Sequence, residues 1–180
     1  MKIIIDKELV LRKYNLKDRF ALYQNSRDPL FLKYLEYKKF SKIQFNLWLK
    51  SKLKTKNTIF FVVEYKNNAI GTYLLNFTGI KNQICNLGYG ISSKHFGKKI
   101  FTRITKKIIE RFKKIKKFTA VTRSDNLSSI NGLRKLNFEK EGLLKSHYYD
   151  LKTKRYYSAV ILSLLKNKKK WNHILKKLKT

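Results

Sequence analysis

The 180-residue sequence predicts a single α+β domain, a mixed but mostly antiparallel sheet with helices on both faces. Three observations carry that expectation. Hydrophobic residues make up 43% of the chain and aromatic residues 14%, enough for one buried core and too much for a disordered basic tail. Residues 58 to 91 read as three strands joined by short turns, which pair antiparallel. Residues 84 to 122 then read strand, helix, strand, a crossover that requires a parallel pair.

Leu9-Val10-Leu11-Arg12 reads as the opening strand, and Asn15, followed by Asp18 and the apolar Phe20, Leu22 and Tyr23, as a capped helix ending before Pro29. A second helix is expected from Ser41 to Leu53, where Ile43, Phe45, Leu47, Trp48 and Leu53 leave an irregular apolar stripe. Ile59-Phe60-Phe61-Val62-Val63 is apolar throughout, the Asn67-Asn68 pair makes a turn, and Ala69 to Phe77 returns antiparallel. A strand from Ile84 to Ile91 completes the meander. The most regular helix follows Gly97: Ile100, Ile104, Ile108, Phe112 and Ile115 recur at spacings of four, four, four and three, with Lys and Arg on the other faces. Phe118-Thr119-Ala120-Val121 is a short buried strand, and Asn126 or Ser128 caps a helix running through Leu133 and Leu136. Strands at about Phe138 to Tyr149 and Arg155 to Leu165 finish the domain. No linker or internal repeat divides the chain, so residues 1–165 are read as one domain and residues 166–180 as a basic amphipathic tail. Trp171, Ile174, Leu175 and Leu178 give that tail an apolar stripe, expected to dock on the domain in preference to an anionic membrane or RNA surface.

Lys and Arg number 43 against 11 Asp and Glu, a formal net charge of +32 that attracts phosphate polyanions. Only Arg12, Arg19, Arg27, Arg103, Arg111, Arg123, Arg134 and Arg155 carry the planar fork that phosphate and base recognition favours. The lysine excess therefore reads as a drift spread over the chain, and nucleic acid is a partner the composition allows without favouring. Cys85 stands alone, which excludes an internal disulfide and every cysteine metal cluster, and no metal site is suggested. The apolar runs near Met1 and within Ala159 to Leu165 are too short for a signal peptide or a bilayer span, so a soluble cytoplasmic protein is expected.

Gly97 lies between a strand and the strongest helix, where backbone amides lack partners and the helix dipole is positive. Phe96-Gly97-Lys98-Lys99-Ile100-Phe101-Thr102 is thus a candidate pyrophosphate cradle built of amides, with Lys98 and Lys99 adding charge. It lacks the glycines of a Walker A loop or a dinucleotide fingerprint.

At this point the sequence resembles the GNAT superfamily, the acetyl-CoA-dependent N-acetyltransferases, and within it the branch that acetylates ribosomal-protein N termini. The resemblance spans roughly Val10 to Leu165 and rests on ordered stretches: Leu9-Val10-Leu11-Arg12 with Asp18, Ala69-Ile70-Gly71, Leu87-Gly88-Tyr89-Gly90-Ile91, Gly97 to Thr102, Asn126-Leu127-Ser128-Ser129, Lys135-Leu136-Asn137-Phe138 and Glu141-Gly142. It implies a GNAT-like sheet splayed between its fourth and fifth strands, here about 84–91 and 118–121, with acetyl-CoA entering the gap as co-substrate. It also implies pantetheine pairing with the backbone at Gly90 and Ile91, and pyrophosphate on the amides of Gly97, Lys98, Lys99, Ile100, Phe101 and Thr102. Asn126 would orient the pantetheine and Ser129 deliver a proton to the leaving thiolate. An N–H at Ile91 would polarise the thioester carbonyl. The chain departs from the family pattern at Lys99, which replaces a loop glycine, at Asn86, where a carboxylate often stands, and at Leu133, where many relatives carry an acidic Tyr.

The base that frees the attacking amine is left among His95, His147, Glu36 and Glu64, with Glu36 the first to test because its segment lines the acceptor pocket in similar proteins. The expected reaction is acetyl transfer to a primary amine by direct attack in a ternary complex. The acceptor is a protein N terminus or a small-molecule amine such as an amino sugar, and the positive chain favours neutral or anionic acceptors. The alternative is a non-catalytic RNA- or ribosome-binding protein on the same scaffold.

Overall fold

In the computed structural model, which describes residues 1–34, 39–78, 81, 83–150 and 153–166, eight strands form one sheet. They are β1 (Lys2–Ile4), β2 (Leu9–Arg12), β3 (Thr58–Tyr65), β4 (Asn68–Thr78), β5 (Ile84–Ile91), β6 (Lys117–Arg123), β7 (Glu139–Asp150) and β8 (Arg155–Leu165). Their spatial order is β1-β2-β3-β4-β5-β6-β8-β7. Only β5 and β6 pair parallel, as the crossover between them demands. The helices are α1 (Asp18–Asn25), α2 (Pro29–Leu32), α3 (Lys42–Lys54), α4 (Ile100–Arg111) and α5 (Leu127–Arg134).

The sheet separates two apolar layers. Leu11, Phe61, Tyr73, Leu75, Cys85 and Leu87 pack with Ile100, Ile104 and Ile108 of α4 and Ile130 and Leu133 of α5. On the opposite face Phe60 and Val62 pack with Leu22 of α1 and Phe45 and Leu49 of α3. Side-chain alternation along β3 feeds both layers, which is why Phe60-Phe61-Val62-Val63 is apolar without interruption.

Local differences from the sequence reading have local causes. β1 went unread because three residues with only Ile3 buried carry no periodic signal. The β3–β4 hairpin turns at Lys66-Asn67 instead of Asn67-Asn68: both residues have positive φ, 48° and 63°, and Tyr65 pairs with Asn68, as a two-residue type I′ turn requires. α3 starts from a capping box between Ser41 and Gln44, and its stripe is irregular because Ile43 and Leu47 face solvent. Phe20 of α1 is likewise exposed. α4 ends at Arg111, and Ile115 is buried from the following loop. Lys166 Nζ donates to the Ile109 and Phe112 carbonyls at 2.6 and 3.2 Å, covering the C-terminal end of α4. The tail beyond it lies outside the described residues.

Candidate active site

The site grows from the way β5 and β6 part. Their ladder consists of three pairs, Ile84 with Lys117, Cys85 with Phe118 and Asn86 with Thr119, and Thr119 Oγ1 donates to Asn86 Oδ1 where it ends. β6 continues against β8, so among the described residues Leu87 to Ile91 have no strand neighbour on that side. On the β4 side, the Ser92 N–H donates to the Ile70 carbonyl at 2.8 Å. That bond sets the parity of the antiparallel ladder: Gly90 exchanges bonds with Thr72, whereas Tyr89 and Ile91 turn their N–H and C=O toward the gap. Of the two residues expected to pair with pantetheine, Ile91 thus faces the gap, Gly90 faces β4, and Tyr89 takes the second gap-facing position. Gly90 matters differently: a Cβ there would lie 2.7 Å from Phe31 Cζ.

At the mouth of the gap, a 3-10 turn at Ser93–His95 leads into the loop before α4. Gly97 has φ +80° with nothing within 4 Å of where a Cβ would stand. Lys99 takes the left-handed conformation, φ 54° and ψ 21°, so a lysine adopts the backbone of the glycine it replaces. No side chain caps α4, leaving the amides of its first turn to an incoming anion. Ile100 is buried and anchors that turn, Phe101 stacks on Tyr89 with centroids 3.8 Å apart, and Thr102 packs with Phe101 beside Gly132 of α5. Lys98 Nζ lies 5.3 Å from the Tyr65 ring centre.

Across the gap, Asn126 is the residue that caps α5: its Oδ1 accepts from the Ser129 N–H at 3.3 Å and its Nδ2 donates to Thr122 Oγ1 at 3.1 Å. Ser129 is buried, and its Oγ accepts the Tyr89 hydroxyl at 2.6 Å, leaving its own proton to donate onward. Burial pushes the Tyr89 phenol up to about 12, so it keeps its proton at neutral pH. Tyr89 carried no role in the sequence reading. Its place within Leu87-Gly88-Tyr89-Gly90-Ile91, one of the stretches that carry the family resemblance, was the available signal.

The candidate bases separate clearly. Glu64 is held by Arg12 Nε at 2.6 Å, which is itself bidentate to Asp18, so Glu64 serves the fold. His147 is exposed on β7, where the register shifts. His95 belongs to the loop, with a buried Nδ1 that has no hydrogen-bond partner among the described residues, and burial together with Lys98 and Lys94 holds its pKa below the ordinary value. Glu36 lies outside the described residues. Its flanks are gripped: Arg123 Nη1 donates to the Lys33 carbonyl at 3.0 Å and Arg27 Nη1 to the Phe40 carbonyl at 3.1 Å. Arg123 is in turn buried against Asp125, Asp150 and the Tyr157 ring. Among the described residues no group of three or more His, Cys, Asp or Glu is placed to hold a metal ion, and no helix is long and apolar enough to cross a membrane.

The profile of the acetyltransferase (GNAT) domain matches residues 8–139. The chain belongs to the GNAT acetyltransferase family. The matched region contains the gap-facing strand edge, the loop before α4 and the Tyr89–Ser129 pair. Over 175 residues the chain is 27% identical to an uncharacterized N-acetyltransferase, p20, of Bacillus licheniformis, covering 92% of this chain and 97% of that one. Its fold matches the RimL ribosomal L7/L12 α-N-protein acetyltransferase in complex with coenzyme A, with TM-score 0.81, 18% identity and coverage of 92% and 98%. It also matches the microcin C7 self-immunity acetyltransferase MccE in complex with acetyl-CoA and AMP, with TM-score 0.78, 20% identity and coverage of 90% and 94%. For this GNAT acetyltransferase, an open strand edge beside an uncapped helix fits a ligand that combines an amide-bearing arm with a diphosphate.

Proposed function

We propose that this acetyltransferase moves the acetyl group of acetyl-CoA to a primary amine by direct attack in a ternary complex. The observation that carries the reading is the three-pair β5–β6 ladder, beyond which Tyr89 and Ile91 turn unshared backbone groups toward a gap that ends at the amides of α4. The pantetheine amides pair with that edge, and the diphosphate meets the amides from Gly97 to Thr102 with Lys98 and Lys99 beside it. The amine nitrogen bonds to the acetyl carbon as the Ile91 N–H takes the charge growing on the carbonyl oxygen. The carbon–sulfur bond breaks, and the Ser129 hydroxyl, accepting from Tyr89, donates to the departing sulfur. Asn126 supports this arrangement as the cap that fixes Ser129. Glu36, between the two arginine-held carbonyls, is the base to test first. A protein N terminus or a small-molecule amine is the acceptor.

Arg12, Arg19, Arg27, Arg103 and Arg123 all bond within the chain, which leaves few arginine forks for nucleic acid and weighs against the RNA-binding alternative. Thermal unfolding with acetyl-CoA or CoA tests the reading. At about 100 times Kd the ligand adds about 2.7 kcal/mol, which raises Tm by roughly 5–10 °C, followed by thiol release when an amine is supplied. An unchanged Tm at millimolar acetyl-CoA overturns it.

A further inference from the structure

Gly88 and Gly90 leave the α1–α3 face of β5 without side chains, and a cavity of about 260 Å³ occupies the space. Four aromatic side chains wall it, those of Phe31, Phe40, Phe45 and Trp48, while Tyr89 lines it from the strand with its ring on the α4 face. Tyr89 and Gly90 carry it to the strand edge at which transfer takes place. A cavity of roughly 150 Å³ accommodates benzene, so this one has room for an aryl ring and a short aliphatic connection.

Two polar features limit what fills it. Asn25, at the end of α1, is among the lining residues, and its Nδ2 is buried without a hydrogen-bond partner among the described residues; turned toward the cavity, that donor calls for an oxygen. Lys52 is the only ionisable side chain among the described lining residues other than the Tyr89 phenol, and no Asp or Glu is among them. Among the described lining residues a polycation meets only another cation, and the one carboxylate assigned to the acceptor side, Glu36, is the base for a single amine. An α-amino group suits the same wall. Its pKa, about 7.7–8.0 against about 10.4 for an alkylamine, leaves far more of it neutral at pH 7, and a nearby ammonium lowers it further.

We infer that the acceptor is an α-amino acid unit with an aromatic or bulky apolar side chain, which fills the aromatic cavity while its carbonyl oxygen accepts the Asn25 amide hydrogen. The inference rests on the acetyl-transfer reading and names the acceptor at that same site. The product is the N-acetylated unit: the neutral α-amine gains the acetyl carbon and gives up one proton, the sulfur leaves as the CoA thiol with the proton of Ser129, and the proton from nitrogen restores the Ser129 hydroxyl through solvent.

The test supplies the full chain and acetyl-CoA with L-phenylalaninamide, 2-phenylethylamine, glycinamide or spermidine and follows thiol release. L-phenylalaninamide is expected to exceed glycinamide and spermidine at least about tenfold in kcat/KM. Asn25→Leu is expected to raise KM for L-phenylalaninamide by about 5- to 30-fold, the effect of one buried hydrogen bond. It leaves 2-phenylethylamine, which has the ring and no oxygen, nearly unaffected, a split that general damage to the fold does not produce. Gly88→Val, a second variant that narrows the cavity from the strand, is expected to lower kcat/KM for L-phenylalaninamide more than for glycinamide. If acetyl-CoA stabilises the chain yet spermidine or glycinamide is preferred, no amine is turned over, or Asn25→Leu weakens both aromatic amines alike, the inference is wrong and acetyl-CoA binding stands. If acetyl-CoA does not stabilise the chain, the acetyl-transfer reading falls and the inference with it.

Discussion

Ser129 receives the Tyr89 hydroxyl at 2.6 Å and gives its own N–H to Asn126, so its oxygen is fixed by partners on two elements. If that oxygen serves the departing sulfur, Ser129→Ala lowers kcat about 10- to 100-fold with little change in KM for acetyl-CoA, a loss of roughly 1.4–2.8 kcal/mol in the transition state. Tyr89→Phe falls in the same direction, and the double variant is no worse than Ser129→Ala alone, because the two hydroxyls act in series. Steady-state thiol release measures all three. With its phenol pushed up to about 12, Tyr89 keeps its proton throughout a neutral assay and contributes no limb to the pH profile below about pH 11. Asn126 could be picked from the chain as a helix cap, whereas Ser129 was picked only through the family resemblance. Their relation to Tyr89 was out of reach, since a contact spanning 40 positions exists only once α5 lies over β5.

The elements differ in how openly the sequence declared them. α4 was legible because Ile100, Ile104 and Ile108 hold one buried face, while Phe112 and Ile115 prolong the same spacing past the helix end because they reach the core from irregular backbone. The gap was visible only through the family resemblance, since splaying leaves no mark in periodicity. Its closed side depends on close backbone approach between β4 and β5. A Cβ on Gly71 would collide with the Gly90 carbonyl and come within 2.9 Å of Ile91 Cα, whereas one on Gly88 meets only Leu74 Cβ at 3.6 Å. Gly71→Ala therefore destabilises the fold by about 1–3 kcal/mol in denaturant unfolding, and Gly88→Ala by less than about 1 kcal/mol.

For the whole molecule, the +32 charge sets a background of self-repulsion against which Asp18, the one buried acid among the described residues, holds position. Burial alone would raise the Asp18 carboxyl, but two bonds of 2.7 Å from Arg12 and one of 2.8 Å from the Asn15 N–H outweigh it and hold the pKa below the ordinary value. A depressed carboxyl adds stability above its unfolded pKa of about 3.9 and withdraws it as pH falls through the folded value. Tm should drop steeply below about pH 4, and Asp18→Asn should lower Tm at pH 7 while flattening that drop, as thermal melts across pH 2–7 would record. The charge was the plainest feature of the composition and the least informative about the site, which depends on uncharged positions of one strand. That strand also offers an isotopic reading of occupancy. Backbone parity makes alternate amides of β5 unequal toward deuterium: Gly88 and Gly90, bonded to β4, exchange slowly, and Tyr89 and Ile91 exchange fast. A pantetheine arm lying along the edge would slow Tyr89 and Ile91 and leave the glycines unchanged, a two-residue rhythm of protection by which the empty and the loaded protein can be told apart in solution.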